Sequence, residues 1–314
     1  MTRLAFLFPG QGAQAVGMGK PFYDRFDEAK AVYKTANSRL GFDLAALCFE
    51  GPPEELTKTE KCQPALFATS LAAFAAFKRL APSSLAPVAA AGLSLGELTS
   101  LAAAGAISFE DGFYLVQARA EAMAECAAKH PGAMLAVVGL SAQAVEEVCR
   151  DSGASGANYN SPEQVVLSGT AEAIGKAEGL AKAKGAKRAV KLEVAGAFHS
   201  PLMQPAADAF KQALSRIELK PPAFPVISNV TGQPMADPNE IRQLLVKQIV
   251  SPVLWEESMR HIIRAGASVF VEFPPARVLT GLLRRIDAAV KGIAVDEPKD
   301  LDKLSDVLGV KLSV

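Results

Sequence analysis

At 314 residues, half of them hydrophobic, the chain is long enough for one large domain or for a large domain carrying a smaller one. Its 33 basic residues balance 33 acidic ones, so no global field draws it to nucleic acid or to an anionic membrane. The apolar run Leu4 to Phe8 is too short for a secretory signal, and the charge-free run Leu80 to Gly96 holds two prolines and three serines, a poor membrane span, so a soluble, cytoplasmic protein is expected.

Leu4 to Phe8 reads as a strand running into the loop Pro9-Gly10-Gln11-Gly12, and Pro21 to Leu40 reads as a helix by its apolar spacing. A second helix is predicted from Pro64 to Leu80. The short apolar strand Val88 to Ala91 leads through Gly92-Leu93-Ser94-Leu95-Gly96 into a helix from Glu97. A further helix, Phe109 to Lys129, is stopped by His130-Pro131-Gly132. The elements then shorten: strand Met134 to Gly139, helix Ala142 to Asp151, and strands Gly156 to Tyr159 and Gln164 to Ser168 joined by Asn160-Ser161-Pro162. Helix Ala171 to Lys184 and strand Arg188 to Val194 follow. That β-α-β-β-α-β order is the ferredoxin-like arrangement and has the look of an insert. Larger elements resume with helix Pro201 to Arg216, strand Pro225 to Val230, and helices Pro238 to Ile249 and Pro252 to Ala265. Strand Ser268 to Phe273, helix Arg277 to Ile286, strand Gly292 to Val295 and a terminal helix complete the chain. Strands alternating with helices on both sides of the insert predict an α/β fold with a mostly parallel sheet covered on both faces. The expected division is residues 1–130 and 197–314 for the large domain and 131–196 for the small one.

Gly92-Leu93-Ser94-Leu95-Gly96 meets the G-x-S-x-G pattern of a nucleophile elbow, in which a sharp strand-to-helix turn leaves no room for Cβ atoms beside the serine. The turn also leaves the amide of Leu95 at a helix N-terminus, free to donate to an oxyanion. A serine hydroxyl needs a base, most often histidine. Of the three histidines, His130 falls in a boundary turn and His261 on an amphipathic helix beside Arg260 and Arg264. His199, in Ala197-Phe198-His199-Ser200-Pro201, occupies a loop suited to projecting a ring into a cleft. The loop at Gln11 offers further amides to an anion. Gly10-x-Gly12-x-x-Ala15 also satisfies the dinucleotide fingerprint formally, but the acidic residues that follow, Asp24, Asp27 and Glu28, fall in a predicted helix instead of at a strand end. Cys48, Cys62, Cys126 and Cys149 are scattered without C-x-x-C spacing and read as reduced, mostly buried thiols, with no metal site implied.

Phe8-Pro9-Gly10-Gln11-Gly12, Gly92-Leu93-Ser94-Leu95-Gly96-Glu97, Gln117-Ala118-Arg119, Asn158-Tyr159-Asn160-Ser161-Pro162, Phe198-His199-Ser200, and Gln248 with Pro252-Val253 and Trp255 occur in this order. Together they resemble the malonyl-CoA:acyl carrier protein transacylases of type II fatty acid synthesis and the related acyltransferase domains of polyketide synthases. The resemblance implies an α/β-hydrolase-like large domain with a ferredoxin-like insert. It also implies ping-pong transfer of malonyl from malonyl-CoA, through Ser94, to the phosphopantetheine thiol of holo acyl carrier protein, without a cofactor. It gives His199 the role of base, the amides of Gln11 and Leu95 that of the oxyanion hole, and a main-chain carbonyl near Gln248 that of orienting His199. Arg119 is then the clamp on the malonyl carboxylate, since a guanidinium fork binds a carboxylate with two parallel hydrogen bonds. Asn160 and Phe198 are expected to contact substrate, with the Phe198 ring crowding a 2-methyl group. The family's commonest elbow has histidine where this chain has Leu93. Carrier protein is acidic, so docking is expected on a basic patch drawn from Lys187 and Arg188 in the insert and Arg284 and Arg285 on a late helix. The rival classes are a stand-alone acyltransferase serving a polyketide synthase, a serine thioesterase or hydrolase, and a nucleotide-binding dehydrogenase. A hydrolase usually places its histidine last, whereas this chain continues well past His199.

Overall fold

Strand β1 (Leu4–Phe8) is buried at every residue, because helices cover both of its faces. Its side chains alternate: Leu4, Phe6 and Phe8 enter one core, Ala5 and Leu7 the other. On the first face Phe6 meets Phe74, Phe77, Phe224 and Phe273 edge-on, with ring centroids 5.5 to 6.0 Å apart. Each such pair contributes roughly 0.5–1.5 kcal/mol beyond its burial. On the second face Trp255, Met259 and Ile262 supply the packing from helix Trp255–Arg264.

The computed structural model describes residues 3–194 and 196–312. After β1 come β2 (Ala89–Gly92), then β3 (Ala133–Val138), β4 (Ser155–Ser161), β5 (Gln164–Gly169) and β6 (Arg188–Lys191). The chain closes with β7 (Val226–Ile227), β8 (Pro234–Met235), β9 (Val269–Glu272) and β10 (Lys291–Ala294). The large sheet has the order β10-β9-β1-β2-β7-β8 and is parallel except for the β7–β8 hairpin at its edge. The small sheet is antiparallel in the order β4-β5-β3-β6. Helices Ala142–Ser152 and Ala171–Ala183 pack on one of its faces through Val145, Val148, Ile174 and Ala177 against Leu135, Val137 and Leu167. The period of two sends Met134, Ala136, Asn158, Asn160 and Val166 to the opposite face, where they wall a cavity against the large sheet. β4 is tied to the large unit by Tyr159 N–H donating to the Val253 carbonyl at 2.9 Å and Val253 N–H donating to Ala157 at 2.8 Å.

Several predicted boundaries move. The helix expected over Pro21–Leu40 is two, Lys20–Arg25 and Asp27–Leu40, because Phe26 turns extended and buries its ring beside Phe22. The helix expected from Pro64 begins at Thr59, with Pro64 inside it, so a residue that favours a first turn misplaced the start. Asn160 and Ser161 belong to β4 itself, β6 stops at Lys191, and the strand expected to reach Val230 breaks off at Ile227. Short helices Leu44–Glu50 and Pro53–Leu56 carry too few turns for a periodic signal.

Candidate active site

The elbow is a consequence of close packing. Strand β2 is Ala-Ala-Ala-Gly, and a Cβ on Gly92 would lie 1.9 Å from the Gly96 carbonyl; one on Gly96 would lie 2.1 Å from the Phe8 oxygen. No side chain fits at either position, so the helix Leu95–Ala103 can start directly over the end of β1. Between the glycines Ser94 takes φ 53°, a conformation that costs a non-glycine residue about 1–3 kcal/mol and persists only where its surroundings enforce it. Here Asn229 enforces it: Oδ1 accepts from Ser94 N–H at 2.7 Å, while Nδ2 donates to the Gly92 carbonyl at 2.8 Å.

Ser94 Oγ lies 2.8 Å from His199 Nε2, and His199 Nδ1 lies 2.9 Å from the main-chain carbonyl of Gln248. That carbonyl closes the helix Pro238–Gln248, whose last oxygens have no intrahelical partner. A carbonyl can only accept, so Nδ1 carries the proton and Nε2 presents its lone pair to the serine hydroxyl. Burial, and then the charge of Arg119, pull the His199 imidazole down to about 4, so the ring is neutral at neutral pH and its Nε2 lone pair is free to accept a proton. The unfolded chain takes up this proton first, near the ordinary histidine value of 6.5, so the ring's contribution to stability is lost as pH falls from there toward about 4. With only three histidines in the chain, an NMR titration is direct: His199 should show no midpoint between about pH 8 and 5. A midpoint near the ordinary histidine value would contradict the buried neutral base.

Arg119, on helix Phe109–Lys129, is 1% exposed. Its partners are all neutral: NH1 donates to Gln63 Oε1 at 2.7 Å, and NH2 to Gln248 Oε1 at 2.9 Å and to Ser94 Oγ at 3.0 Å. Burial lowers its pKa to about 10, which leaves it cationic at neutral pH. A buried guanidinium without a carboxylate in contact is costly and is poised to take an anion. The amides of Gln11 and Leu95 make no hydrogen bond among the described residues, and both residues line the same cavity of about 270 Å³ as Ser94, Arg119 and His199. A larger hollow of about 1070 Å³ opens beside Phe6, Phe77 and Phe224 and contains none of these groups.

A family model described as acyl transferase domain matches residues 5–296. A malonyl CoA-acyl carrier protein transacylase of Bacillus subtilis (strain 168) is 43% identical over 307 residues, covering 96% of each chain. The chain belongs to the acyl transferase domain family. The solved acyl carrier protein S-malonyltransferase of Vibrio cholerae is similar at 38% identity with a TM-score of 0.93, covering 96% of this chain and 100% of that one. A malonyl-transacylase solved in complex with a type II PKS acyl-carrier protein is 37% identical with a TM-score of 0.94, covering 98% of this chain and 100% of that one.

In this acyltransferase the structure brings together Ser94, His199, Gln11, Leu95, Arg119, Asn160 and Phe198 around one cavity, with Gln248 behind it. Asn160 is buried there, and its Oδ1 has no hydrogen-bond partner among the described residues. Leu93 joins Val278 and Leu282 in one apolar wall, and the Gly10 backbone packs against it so closely that a Cβ there would lie 2.3 Å from the Leu93 oxygen. His130 and His261 fall outside the site, as does any dinucleotide cradle: the first helix after Gly10 begins only at Lys20. Cys48 and Cys62 are buried thiols pushed up to about 12 by burial, poor rivals to Ser94. Lys187, Arg188, Arg284 and Arg285 are exposed. Arg285 donates to Gln164 Oε1 at 3.2 Å, and Gln164 is in the cavity wall and in the same cross-strand row as Arg188 through Val138. Lys187 is paired with Glu163 at 3.4 Å. Sequence reasoning missed Gln63 and Asn229 and quoted Glu97 within the elbow motif without giving it a role, although it is a lone charge in the apolar helix Leu95–Ala103.

Proposed function

We propose that the chain transfers malonyl from malonyl-CoA to the phosphopantetheine thiol of holo acyl carrier protein, in the cytoplasm, for fatty acid synthesis. The observation that carries the reading is the buried Arg119 guanidinium, hydrogen-bonded to neutral groups alone and 3.0 Å from the Ser94 hydroxyl. An acyl group bonded to Ser94 and ending in a carboxylate satisfies both.

Ser94 Oγ attacks the thioester carbonyl and passes its proton to His199 Nε2, while the oxyanion takes hydrogen bonds from the amides of Gln11 and Leu95. Each such donor stabilises the transition state by about 3 kcal/mol. The C–S bond breaks, His199 returns the proton to the departing CoA thiolate, and malonyl remains on Ser94 as an ester. In the second half the carrier's thiol gives its proton to His199, its sulfur attacks the ester, and Ser94 recovers the proton. No cofactor takes part. The neutral carbonyl behind His199, where a hydrolase places a carboxylate, supports transfer over hydrolysis.

The strand order of the small sheet supports a ferredoxin-like unit over residues 131–196, inserted into an α/β-hydrolase-like unit of residues 1–130 and 197–314. Residues 1, 2, 195, 313 and 314 within these spans lie outside the described residues. No helix among the described residues is long and apolar enough to cross a membrane. Phe198, 6% exposed in the cavity wall, narrows the acyl pocket against a 2-methyl substituent.

Incubation with labelled malonyl-CoA and holo carrier protein should yield malonyl-carrier and free CoA in equal amounts, whereas free malonate would favour the hydrolase. Carrier protein docks on Lys187, Arg188, Arg284 and Arg285, of which Arg285 bonds Gln164 in the cavity wall. Arg285→Glu should raise the carrier's KM by about five-fold, the scale of a rim charge, with malonyl-CoA loading unchanged. Unchanged carrier kinetics would place docking elsewhere.

A further inference from the structure

Of the buried ionisable groups that the mechanism leaves unused, Glu97 is the one bonded into the site. Glu97, the third residue of the elbow helix, is fully buried, and burial raises its carboxyl to about 7. Its Oε1 accepts from the main-chain N–H of Asn229 at 3.2 Å, and its Oε2 accepts from Gln248 Nε2. The same Gln248 nitrogen donates to the Ser94 carbonyl at 2.9 Å and approaches Asn229 Oδ1 at 3.3 Å, while Gln248 Oε1 accepts from Arg119. Every group at the nitrogen end of this amide is an acceptor, and the group at the oxygen end is a guanidinium that can only donate. Turned over, the amide would set its oxygen against a carboxylate and its NH₂ against Arg119. The strongest acceptor of the set, and so the one that most firmly fixes the amide's polarity, is the Glu97 carboxyl, whose two oxygens both accept here.

We propose that Glu97 is a positioning residue for the carboxylate end of the substrate: through Gln248 it aims the Arg119 guanidinium beside Ser94, and so sets the preference for an acyl group that ends in a carboxylate. The inference rests on the transacylase reading above. It separates Gln248 into two functions, a main-chain carbonyl that orients His199 and a side-chain amide that transmits the hold of Glu97 to Arg119. A substitution at Glu97 that keeps the Oε1 acceptor for Asn229 N–H, and with it the support of the elbow, should therefore leave the base in place and disturb the clamp.

Loading of Ser94 from malonyl-CoA and from acetyl-CoA is measured for the unsubstituted protein, Glu97→Gln, Gln248→Met and the double variant. Glu97→Gln keeps the shape but turns an NH₂ toward a donor. It should raise the KM for malonyl-CoA more than it lowers kcat, and lower the malonyl-to-acetyl preference about ten-fold or more, the scale of a hydrogen bond to a charged group. Acetyl loading should stay within about two-fold. Gln248→Met, which keeps the main-chain carbonyl, should show the same loss of preference, and the double variant should lose no more than Gln248→Met alone. Equal loss of malonyl and acetyl loading in Glu97→Gln, or additive losses in the double variant, would overturn the assignment by making Glu97 a general support of the elbow. Should Glu97→Gln not fold, an unchanged preference in Gln248→Met overturns it. Absence of malonyl loading in the unsubstituted protein would count against the transacylase reading itself.

Discussion

Replacing Ser94 with alanine should abolish malonyl loading and carrier transfer together, with kcat/KM falling roughly 10⁴- to 10⁶-fold. The size follows from the geometry. Ser94 is the hydroxyl that meets His199 Nε2, at 2.8 Å, and its strained backbone already aims it at the cavity. No thiol stands in for it, since Cys48 and Cys62 are buried and held at about 12. The residual rate comes from binding and the oxyanion donors alone. Folding should be little affected, because the bond that holds the elbow at this residue runs from its main-chain N–H to Asn229 and survives the change. A thermal melt close to the parent, together with a CoA-release assay at background, is the expected pair of results. Retention of loading within ten-fold would mean that another nucleophile carries the acyl group.

Arg119→Ala should separate the two ends of the substrate. Malonyl transfer should fall roughly thirty-fold to several thousand-fold, the ~2–5 kcal/mol lost when one partner of a buried charge pair is truncated. Acetyl transfer should hold or rise, because an acetyl group brings no charge to pair and gains the vacated space. The variant remains foldable for a specific reason: Glu97, the buried carboxyl coupled to Arg119, is raised to about 7 and can take a proton when its countercharge is removed. Parallel kcat/KM measurements with malonyl-CoA and acetyl-CoA decide the matter, and an equal loss of both would sink the clamp assignment.

The parts of this site that were legible in the sequence are those where sterics leave one choice of residue. Gly92 and Gly96 are fixed by contacts of 1.9 and 2.1 Å that no Cβ survives, so the elbow is visible as a spacing. His199 followed from the scarcity of histidines and its place in a loop. Arg119 was different: on helix Phe109–Lys129 nothing about its neighbours announces that it is buried, and only the accompanying motifs pointed to it. Gln63 and Asn229, and the role of Glu97, stayed hidden for the same reason. Polar residues in helices and at strand ends are ordinarily solvated, and what distinguishes these is a three-dimensional network assembled from segments more than 130 residues apart, as between Glu97 and Asn229. Gln248 was anticipated for its carbonyl, while the work of its side chain depends on Arg119 and Glu97 being adjacent in space.

The sheet was legible because β1 reads as a continuous apolar run and β9 as one up to the buried Glu272, the mark of strands covered on both faces. Where the reading slipped, two signals competed. Pro64 carries a helix-start signal yet lies inside a helix whose tertiary packing outweighs one missing backbone bond. Pro162 suggested a turn that would swallow Asn160, but pairing with β5 through a register shift keeps Asn160 in β4, where it lines the cavity.

The account turns on a malonyl group covalently held by Ser94, and the most direct measurement is mass-spectrometric peptide mapping after brief exposure to malonyl-CoA without carrier protein. One malonyl group on the peptide containing Ser94, removed when holo carrier protein is added and recovered there as its thioester, is the predicted result. A malonyl group on any other residue, or accumulation of free malonate with Ser94 never modified, would contradict it.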